Sequence, residues 1–191
     1  RDCSVLGLTA SGTLDAAFGD AGVVGPDDSF ACGALAVDAA GRLVLGGTRS
    51  GVDGEVRRML ANGKVDPEFQ TAAIPSRLRA VTALTLGATG SIFVAGFDRS
   101  GQSGATVLRL LADGAVDPLY GRAGASTIDL QGWANSPAIL DMQALGNGTL
   151  VVGGGNYYSY PFVARLLGDA AGGGSPGVLG MALPRVIATE Q

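Results

Sequence analysis

Short apolar runs alternate with glycine-marked polar turns along the chain. The runs consist mainly of Val, Leu, Ile and Ala, and the longest are about six residues, which is the length of a strand. No helical apolar period is sustained, so almost no helix is expected. Glycine contributes 32 of the 191 residues, and many short strands separated by glycine-rich turns are typical of an all-β fold.

A ten-residue segment occurs three times at a spacing of 51 residues. Its copies are TASGTLDAAF at 9–18, LANGKVDPEF at 60–69 and LADGAVDPLY at 111–120. Each copy contains a glycine, then an aspartate, and then an aromatic ring three residues after the aspartate. These repeat residues are Gly12, Asp15, Phe18, Gly63, Asp66, Phe69, Gly114, Asp117 and Tyr120. A fixed period of this length indicates a repeat architecture.

Two further segments recur with the same period and read as strands. The copies of the first are GRLVLGG at 41–47, GSIFVAG at 90–96 and GTLVVGG at 148–154. The copies of the second are EVRRML at 55–60, TVLRLL at 106–111 and PFVARLL at 161–167, with SVLGL at 4–8 as a degenerate first copy. In the first unit, four strands are expected at about 22–25, 34–38, 42–47 and 55–60.

A four-stranded antiparallel meander repeated head to tail is the unit of a β-propeller. Units are predicted at about 9–60, 61–111 and 112–167, so residues 1–167 are expected to form about 3.5 blades. Residues 168–191 are expected to form a glycine-rich linker and a terminal strand. That strand is either the edge of the last blade or the start of a next domain.

The repeat residues are expected to build the propeller rather than to catalyse a reaction. Each aspartate should accept backbone N–H groups in the crossing to the next sheet, and each aromatic ring should pack between blades. A catalytic role for the aspartates is the alternative, but a residue present once per blade is more often structural. The recurring Arg58, Arg109 and Arg165 are interpreted in the same way, as partners of blade carboxylates or carbonyls.

These motifs resemble the bacterial delta-60 repeat family over residues 4–167. The resemblance rests on SGTLDAAFGDAGVV, NGKVDPEF and DGAVDPLYGRAG, each followed by the pattern G-x-Ile/Leu-x-Val-x-Gly. It implies a propeller-like fold of the kind found in large exported proteins, and it implies no catalytic residue. Gln70 departs from the glycines at 19 and 121, and the fourth copy, LLGDAAGGGSPG, lacks the aspartate and the aromatic residue. The tail at 175–191 resembles the opening strand of a Calx-β domain.

The composition argues against several functions. The chain contains no histidine, which excludes Ser-His-Asp and Cys-His catalysis and imidazole ligands for a metal. The net charge of −4 and the lack of a basic patch argue against nucleic acid, and no apolar stretch suits membrane insertion. No cofactor is expected; Asp27 and Asp28 could join a calcium site, with a solvated loop as the alternative.

The two cysteines are predicted to form one disulfide. Cys3 and Cys32 each stand just before an expected strand, and an even cysteine count suits an oxidising compartment. Two separate buried thiols are the alternative. An extracellular, cell-surface or periplasmic location is therefore expected, and the polar opening RDCSV is read as a mature or trimmed N-terminus.

The residues that the repeats do not share are the candidates for binding. The loop GNYYSYP at 155–161 holds Asn156, Tyr157, Tyr158 and Tyr160, and the insertion DLQGWANSP at 129–137 holds Trp133. Tyrosine and tryptophan on loops supply rigid contact area with a polar group, which suits a protein interface or a glycan-stacking platform. Alternatively, these rings cover a blade edge within the fold.

Two classes of function are consistent with the sequence. The first is a non-catalytic binding or scaffold module of an exported bacterial protein. The second is a propeller subunit of an extracellular hydrolase that uses carboxylates or supports a catalytic partner, with Asp129 and Asp141 as the nearest candidates. Because propellers close with about four to eight blades, another chain, a second copy or the rest of a longer precursor is expected to complete the ring.

Overall fold

The computed structural model describes residues 3–27, 29–49, 53–70, 72–74, 78–98, 104–129, 137–146, 148–155, 161–167 and 178–182. These residues form fourteen β-strands and no helix. The predicted all-β fold of the β-propeller type is therefore confirmed, with half a blade followed by three four-stranded blades.

Each blade is an antiparallel meander whose strands follow one another in chain order. The half-blade consists of β1 (Cys3–Leu6) and β2 (Val23–Asp27). Blade 1 consists of β3 (Phe30–Val37), β4 (Leu43–Arg49), β5 (Asp53–Met59) and β6 (Ala72–Ala73). Blade 2 consists of β7 (Leu78–Leu86), β8 (Ile92–Asp98), β9 (Gly104–Leu110) and β10 (Ala125–Asp129). Blade 3 consists of β11 (Ala138–Ala144), β12 (Thr149–Gly155), β13 (Phe162–Leu167) and β14 (Val178–Ala182).

The sequence units and the structural blades differ in phase. The strand expected at 22–25 was grouped with the strands that follow it, but β2 pairs with β1 and not with β3. The grouping was wrong because the recurring ten-residue segment is the crossing from the third strand to the fourth strand within one blade. The half-blade therefore contributes a third and a fourth strand, and within the described residues β1 pairs with β2 alone.

The tail contributes a strand to blade 3. Val178–Ala182 pairs antiparallel with β13, with Val163 opposite Ala182 and Leu166 opposite Val178. Of the two expectations for the tail, the pairing agrees with an edge strand of the last blade and not with the opening strand of a separate domain. Blades 2 and 3 are also joined at a single bridge between Phe97 and Ala138.

A glycine with positive φ closes the turn between the first and second strands of every blade. The φ angles of Gly41, Gly90 and Gly148 are 76°, 80° and 74°. Their N–H groups donate to the carbonyls of Asp38, Gly87 and Leu145 at 2.9, 3.1 and 3.0 Å. Residues with a β-carbon rarely adopt this conformation, which explains why a glycine begins each copy of the second strand.

Apolar side chains fill the space between neighbouring blades. One cluster joins blade 1 to blade 2 and includes Val44 and Val56 with Leu108 and Leu110. A second cluster joins blade 2 to blade 3 and includes Phe93, Val107, Leu150, Phe162 and Leu166. The cluster between the half-blade and blade 1 is smaller, and its buried members among the described residues are Cys3, Phe30 and Leu45. Because the half-blade has no first or second strand in the described residues, Leu35 and Val37 of β3 remain exposed beside it.

A bulge interrupts each first strand, and in blades 1 and 2 the bulged residue contacts the next blade. The register shifts between Cys32 and Ala34, between Val81 and Ala83, and between Ile139 and Asp141. The bulged Gly33 backs onto the next blade, since a β-carbon there would lie 2.3 Å from the carbonyl oxygen of Val81. The bulged Thr82 donates its hydroxyl to the carbonyl of Ile139 at 2.6 Å. Successive first strands therefore lie side by side with their starts at the same end.

The predicted disulfide is present. Cys3 at the start of β1 is bonded to Cys32 in β3, with 5.3 Å between the two α-carbons. The bond ties the half-blade to blade 1 across the smallest of the apolar clusters.

Replacing both cysteines with serine is expected to lower the free energy of unfolding by about 3–4 kcal/mol in the chain-entropy account. The physical reason is that the bond spans a sequence separation of 29 residues, which restricts the unfolded chain. Urea unfolding of the double variant and the unreduced protein measures the difference. Two reactive thiols in the unfolded, unreduced protein, or superimposable unfolding curves, would contradict the expectation.

Candidate functional site

The five residues predicted to bind a partner lie outside the described residues: Trp133, Asn156, Tyr157, Tyr158 and Tyr160. The described residues beside them show where their segments attach. The segment with the tryptophan precedes β11, and the segment with the tyrosines follows β12. Ala138, the first residue of β11, pairs with Gly155, the last residue of β12. The two aromatic segments therefore attach at the same end of blade 3, at neighbouring positions.

A cleft of about 470 Å³ opens at the end where β3 and β7 begin. Its lining includes the Cys3–Cys32 disulfide, the side chains of Ser4, Thr48 and Thr82, and small apolar residues. The hydroxyl of Thr82 bonds to Ile139 near the start of β11, so the cleft and the attachment points of the aromatic segments lie at one end of the propeller. None of the described residues that line the cleft ionises, so the cleft offers hydroxyl groups and small apolar surface.

The recurring ten-residue segment forms the same crossing three times, at 9–19 in the half-blade, 60–70 in blade 1 and 111–121 in blade 2. We call each a crossing segment. The N–H groups of Asp15, Asp66 and Asp117 donate to the preceding third strand at 2.9–3.0 Å. One oxygen of each carboxylate accepts the N–H two residues later, at 2.9, 3.0 and 2.9 Å. The carboxylates thus fix the backbone of the crossing.

In blades 1 and 2 the second carboxylate oxygen binds an arginine. The Nε of Arg58 lies 2.7 Å from Oδ2 of Asp66, and the Nε of Arg109 lies 2.7 Å from Oδ2 of Asp117. Each guanidinium also lies over the aromatic ring of its own crossing segment, at 4.7 Å from the Phe69 centroid and 5.1 Å in the other blade. The half-blade has Gly7 at the arginine position, and a β-carbon there would lie 2.5 Å from the side chain of Phe18.

The environment of Asp66 favours its ionised form. Burial acts to raise the pKa of Asp66, but the N–H of Glu68 and the guanidinium of Arg58 outweigh it, so the pKa lies below its usual value of 3.8. The pKa of Asp38 is lowered in the same way: burial raises it, and hydrogen bonds from Arg42 and Ala40 overcome that effect. Both carboxylates are therefore held as anions by fixed donors, and neither is set up to exchange a proton near neutral pH.

The first two crossing segments also bind the next blade through their backbone. The N–H of Gly19 donates to the carbonyl of Asn62 at 2.8 Å, and the N–H of Gln70 donates to that of Asp113 at 2.7 Å. Arg58 adds a hydrogen bond from Nη1 to the carbonyl of Ala112. Gln70 stands where the other copies of the repeat have glycine, and its N–H forms the same hydrogen bond to the next blade as that of Gly19.

The turn glycines receive the aromatic rings of the preceding blade. A β-carbon on Gly63 would lie 3.2 Å from the ring of Phe18, and one on Gly114 would lie 2.8 Å from that of Phe69. Gly12, the equivalent residue of the half-blade, has nothing within 4 Å of that position. The repeated glycine and aromatic ring therefore meet between consecutive blades, and the aspartate fixes the crossing that carries the ring; we call this arrangement the inter-blade clasp.

The sequence reasoning missed a second charged network in blade 1. Glu55 is almost fully buried, forms an ion pair with Arg57, and lies 3.6 Å from Nε of Arg49. Arg57 in turn lies over the ring of Phe30 at 4.4 Å. Thr106 and Phe162 occupy the position of Glu55 in the other blades. A glutamate where the other copies have threonine and phenylalanine was the sequence feature that could have indicated this network.

The structure does not bring the proposed catalytic carboxylates together on one blade. Asp129 ends β10, the fourth strand of blade 2, whereas Asp141 lies in β11, the first strand of blade 3. One oxygen of Asp141 accepts the N–H of Met142 at 2.8 Å. Asp28 of the suggested calcium pair lies outside the described residues. Among the residues that the structure describes, no three His, Cys, Asp or Glu side chains are grouped to hold a metal ion.

Comparison with known families agrees with this architecture. Residues 87–120 match a family described as a domain of unknown function (DUF5122) β-propeller. The match runs from the first turn of blade 2 through β8 and β9 to Tyr120 of the third crossing segment. The search among curated proteins found no match. Within the described part of the chain, no helix is long and apolar enough to cross a membrane.

Because of the clasp, we expect alanine to lower the free energy of unfolding by different amounts at the equivalent glycines Gly12 and Gly114. Gly12 and Gly114 both have positive φ, 83° and 93°, so alanine costs about 1 kcal/mol of backbone strain at either one. At Gly114 the new methyl group would also lie 2.3 Å from the carbonyl oxygen of Gln70. Gly114→Ala is therefore expected to lower the free energy of unfolding by about 3 kcal/mol in total. Urea unfolding of the two variants checks this, and equal losses would show that the clasp is not a close contact.

The lowered pKa of Asp66 predicts a dependence of stability on pH. Since the folded pKa lies below 3.8, the ion pair stabilises the protein fully above that pH, and the stabilisation is lost as the pH falls through the folded pKa. Asp66→Asn keeps an oxygen for the N–H of Glu68 but removes the charge. Its unfolding free energy is expected to fall less than that of the parent protein as the pH drops from about 5 to 3.

Asp15→Asn is the matched control for Asp66→Asn. Asp15 makes the same turn bond, but Gly7 stands at the arginine position of its blade. The control is expected to follow the parent protein more closely between these pH values. If both variants track the parent protein, the ion pair contributes nothing to stability and the pKa argument fails.

Proposed function

We propose that this chain is a non-catalytic binding or scaffold β-propeller module of an exported or cell-surface bacterial protein. Another chain, a second copy or the rest of a longer precursor completes it. We further propose that the repeats are of the delta-60 type. In this proposal, residues 1–167 form the propeller repeats, and residues 168–191 form a linker and a terminal strand, Val178–Ala182, that closes blade 3.

One observation carries this proposal. The residues that the blades share are committed to holding the crossing segments: the carboxylates of Asp66 and Asp117 each bind an arginine and a backbone N–H group of their own blade. The residues that the blades do not share include the two aromatic segments, and both attach at one end of blade 3. Binding function is therefore expected from the unshared aromatic segments and not from the repeated polar residues.

The disulfide supports placement outside the cytoplasm. Disulfides persist in oxidising compartments and are rare where cellular reductants keep thiols reduced. Cys3 and Cys32 are bonded, and both lie beside the open cleft. An extracellular, cell-surface or periplasmic location follows as part of the proposal.

A protein partner is favoured over a glycan for the aromatic segments. The net charge of −4 is small and the cleft has no ionised group in its described lining, so the surface at this end suits aromatic and hydrogen-bonded contacts. A glycan that stacks on the tyrosines is the second ligand to test. The hydrolase alternative would need two unshared carboxylates at one cleft, and the described lining of the cleft contains none.

Replacing Tyr157, Tyr158 and Tyr160 with serine is expected to abolish partner binding without unfolding the protein. Surface substitutions that leave the core intact change the free energy of unfolding by less than about 0.5 kcal/mol. The assay places a photoreactive phenylalanine derivative at position 158, in the organism that makes the protein, and identifies the cross-linked polypeptide by mass spectrometry. The same derivative at the exposed Lys64, in the turn of blade 1, is the matched control.

A defined cross-linked polypeptide from position 158 that is absent from position 64 supports the proposal. Binding of an immobilised glycan, lost in the serine variant, would replace the protein partner with a sugar. A serine variant that loses several kcal/mol of stability would show that the rings belong to the core. Equal cross-linking from both positions would overturn the proposal.

A further inference from the structure

The turn of blade 1 that receives the ring of Phe18 contains an Asn–Gly pair, Asn62 followed by Gly63. In such a pair the main-chain nitrogen of the glycine can attack the side-chain amide of the asparagine, because the glycine has no side chain to obstruct the approach. The equivalent pairs are Ser11–Gly12 in the half-blade and Asp113–Gly114 in blade 2. Of the three crossing segments, only that of blade 1 therefore carries an amide at this position.

The conformation of this turn favours the attack. Asn62 is exposed, so water reaches its side chain, and its Oδ1 accepts the N–H of Lys64 at 3.1 Å. This hydrogen bond folds the side chain back over the peptide bond that joins Asn62 to Gly63, which brings Cγ toward the glycine nitrogen. The N–H of Gly63 donates to the carbonyl of Leu60 at 2.9 Å. The reaction therefore starts from the state in which that one hydrogen bond opens.

We propose that Asn62 is a modification site at which the chain deamidates itself and thereby loosens the contact between the half-blade and blade 1. The nitrogen of Gly63 loses its proton to solvent and bonds to Cγ of Asn62, and the side-chain amide takes up a proton and leaves as ammonia. Water then opens the resulting cyclic succinimide. Cleavage at the side-chain carbonyl gives aspartate, and cleavage at the main-chain carbonyl gives isoaspartate, in which the main chain runs through Cβ and Cγ.

The aspartate product fits the turn, because blade 2 already has an aspartate there. Oδ1 of Asp113 accepts the N–H of Ala115 at 3.0 Å, which is the hydrogen bond that Oδ1 of Asn62 forms in blade 1. The main-chain carbonyl of Asp113 accepts an N–H from the preceding blade, as that of Asn62 does. Conversion to aspartate is therefore expected to leave the contact between the blades intact.

The isoaspartate product does not fit. It adds a methylene to the main chain and turns the carbonyl of residue 62, which accepts the N–H of Gly19 at 2.8 Å, into a pendant carboxylate. The half-blade leaves no room for the longer chain, since a β-carbon on Gly63 would already lie 2.7 Å from Cγ2 of Val24 and 3.1 Å from the nitrogen of Gly19. Isoaspartate at position 62 therefore separates Gly19 from its acceptor. The bond from Gln70 to the carbonyl of Asp113 is unaffected, because the turn of blade 2 contains no amide to lose.

Peptide mapping of the purified chain tests the modification. Trypsin cleaves after Arg58 and Lys64 and releases the peptide Met59–Lys64, which contains Asn62. After incubation of the folded protein in mildly alkaline buffer, aspartyl and isoaspartyl forms of this peptide are expected, which chromatography separates and electron-transfer fragmentation distinguishes. A second Asn–Gly pair, at 147–148, falls in a different tryptic peptide and does not interfere.

Amide hydrogen exchange measures the consequence. In the isoaspartyl fraction, isolated by anion exchange, the amide of Gly19 is expected to exchange at least about tenfold faster than in the fresh protein, while that of Gln70 is unchanged. Asn62→Asp is the matched control, because it has the new charge without the added methylene, and both amides are expected to remain protected in it. Asn62→Gln has a longer side chain that disfavours ring closure, so its exchange is expected to stay constant during the incubation.

A folded protein whose Met59–Lys64 peptide stays unmodified, under conditions that convert the urea-unfolded chain, overturns the proposal. So does isoaspartate at position 62 with the amide of Gly19 as protected as in the fresh protein, or an equal loss of protection at Gly19 and Gln70. None of these measurements involves the aromatic segments, so the proposal goes beyond the proposed function, and either can fail while the other holds.

Discussion

The contact between an aromatic ring of one blade and a turn glycine of the next governs much of this structure. Phe18 lies against Gly63 and Phe69 lies against Gly114, and a β-carbon on either glycine would come within 2.7 Å of the preceding blade. Each four-stranded sheet is too thin to bury its own apolar faces, so its stability depends on a neighbour at a fixed separation. The glycines allow that close approach, and the aspartates hold the crossing so that the rings point into the gap. The period of 51 residues is the sequence record of this requirement.

The charged groups of the clasp are stable in a buried position because every one of them has several partners. A carboxylate removed from water is costly unless hydrogen bonds and an opposite charge replace its hydration. Asp66 accepts a backbone N–H and binds Arg58, which also reaches a carbonyl of the next blade and lies over an aromatic ring. The same groups that satisfy the charge therefore connect two blades. Residues used in this way are not free to act on a substrate, which directs the search for function to the residues that the blades do not share.

The repeated features could be predicted from the sequence, and the features that break the repeat could not. The period, the β-strands and the structural role of Asp66 follow from a sequence motif that occurs three times. The predicted grouping of strands into blades was wrong because a repeat period does not show at which strand a blade begins. The pairing of β2 with β1 shows where the blade boundary lies. The bulge at Gly33 could not be predicted because it leaves the apolar pattern unchanged, and the burial of Glu55 could not because the other copies have Thr106 and Phe162 at its position. The aromatic segments were predicted from composition, and their described neighbours Ala138 and Gly155 place both attachments together.

The central claim is that the crossing segments join one blade to the next, and amide hydrogen exchange tests it most directly. Two amides in irregular backbone, those of Gly19 and Gln70, donate across the gap to the carbonyls of Asn62 and Asp113. If the claim is right, both exchange as slowly as the amides of the central strands β4 and β8, since each opens only when two blades separate. Exchange at the rate of an unstructured peptide at Gly19 and Gln70, with the strands still protected, would show that the blades are not joined there.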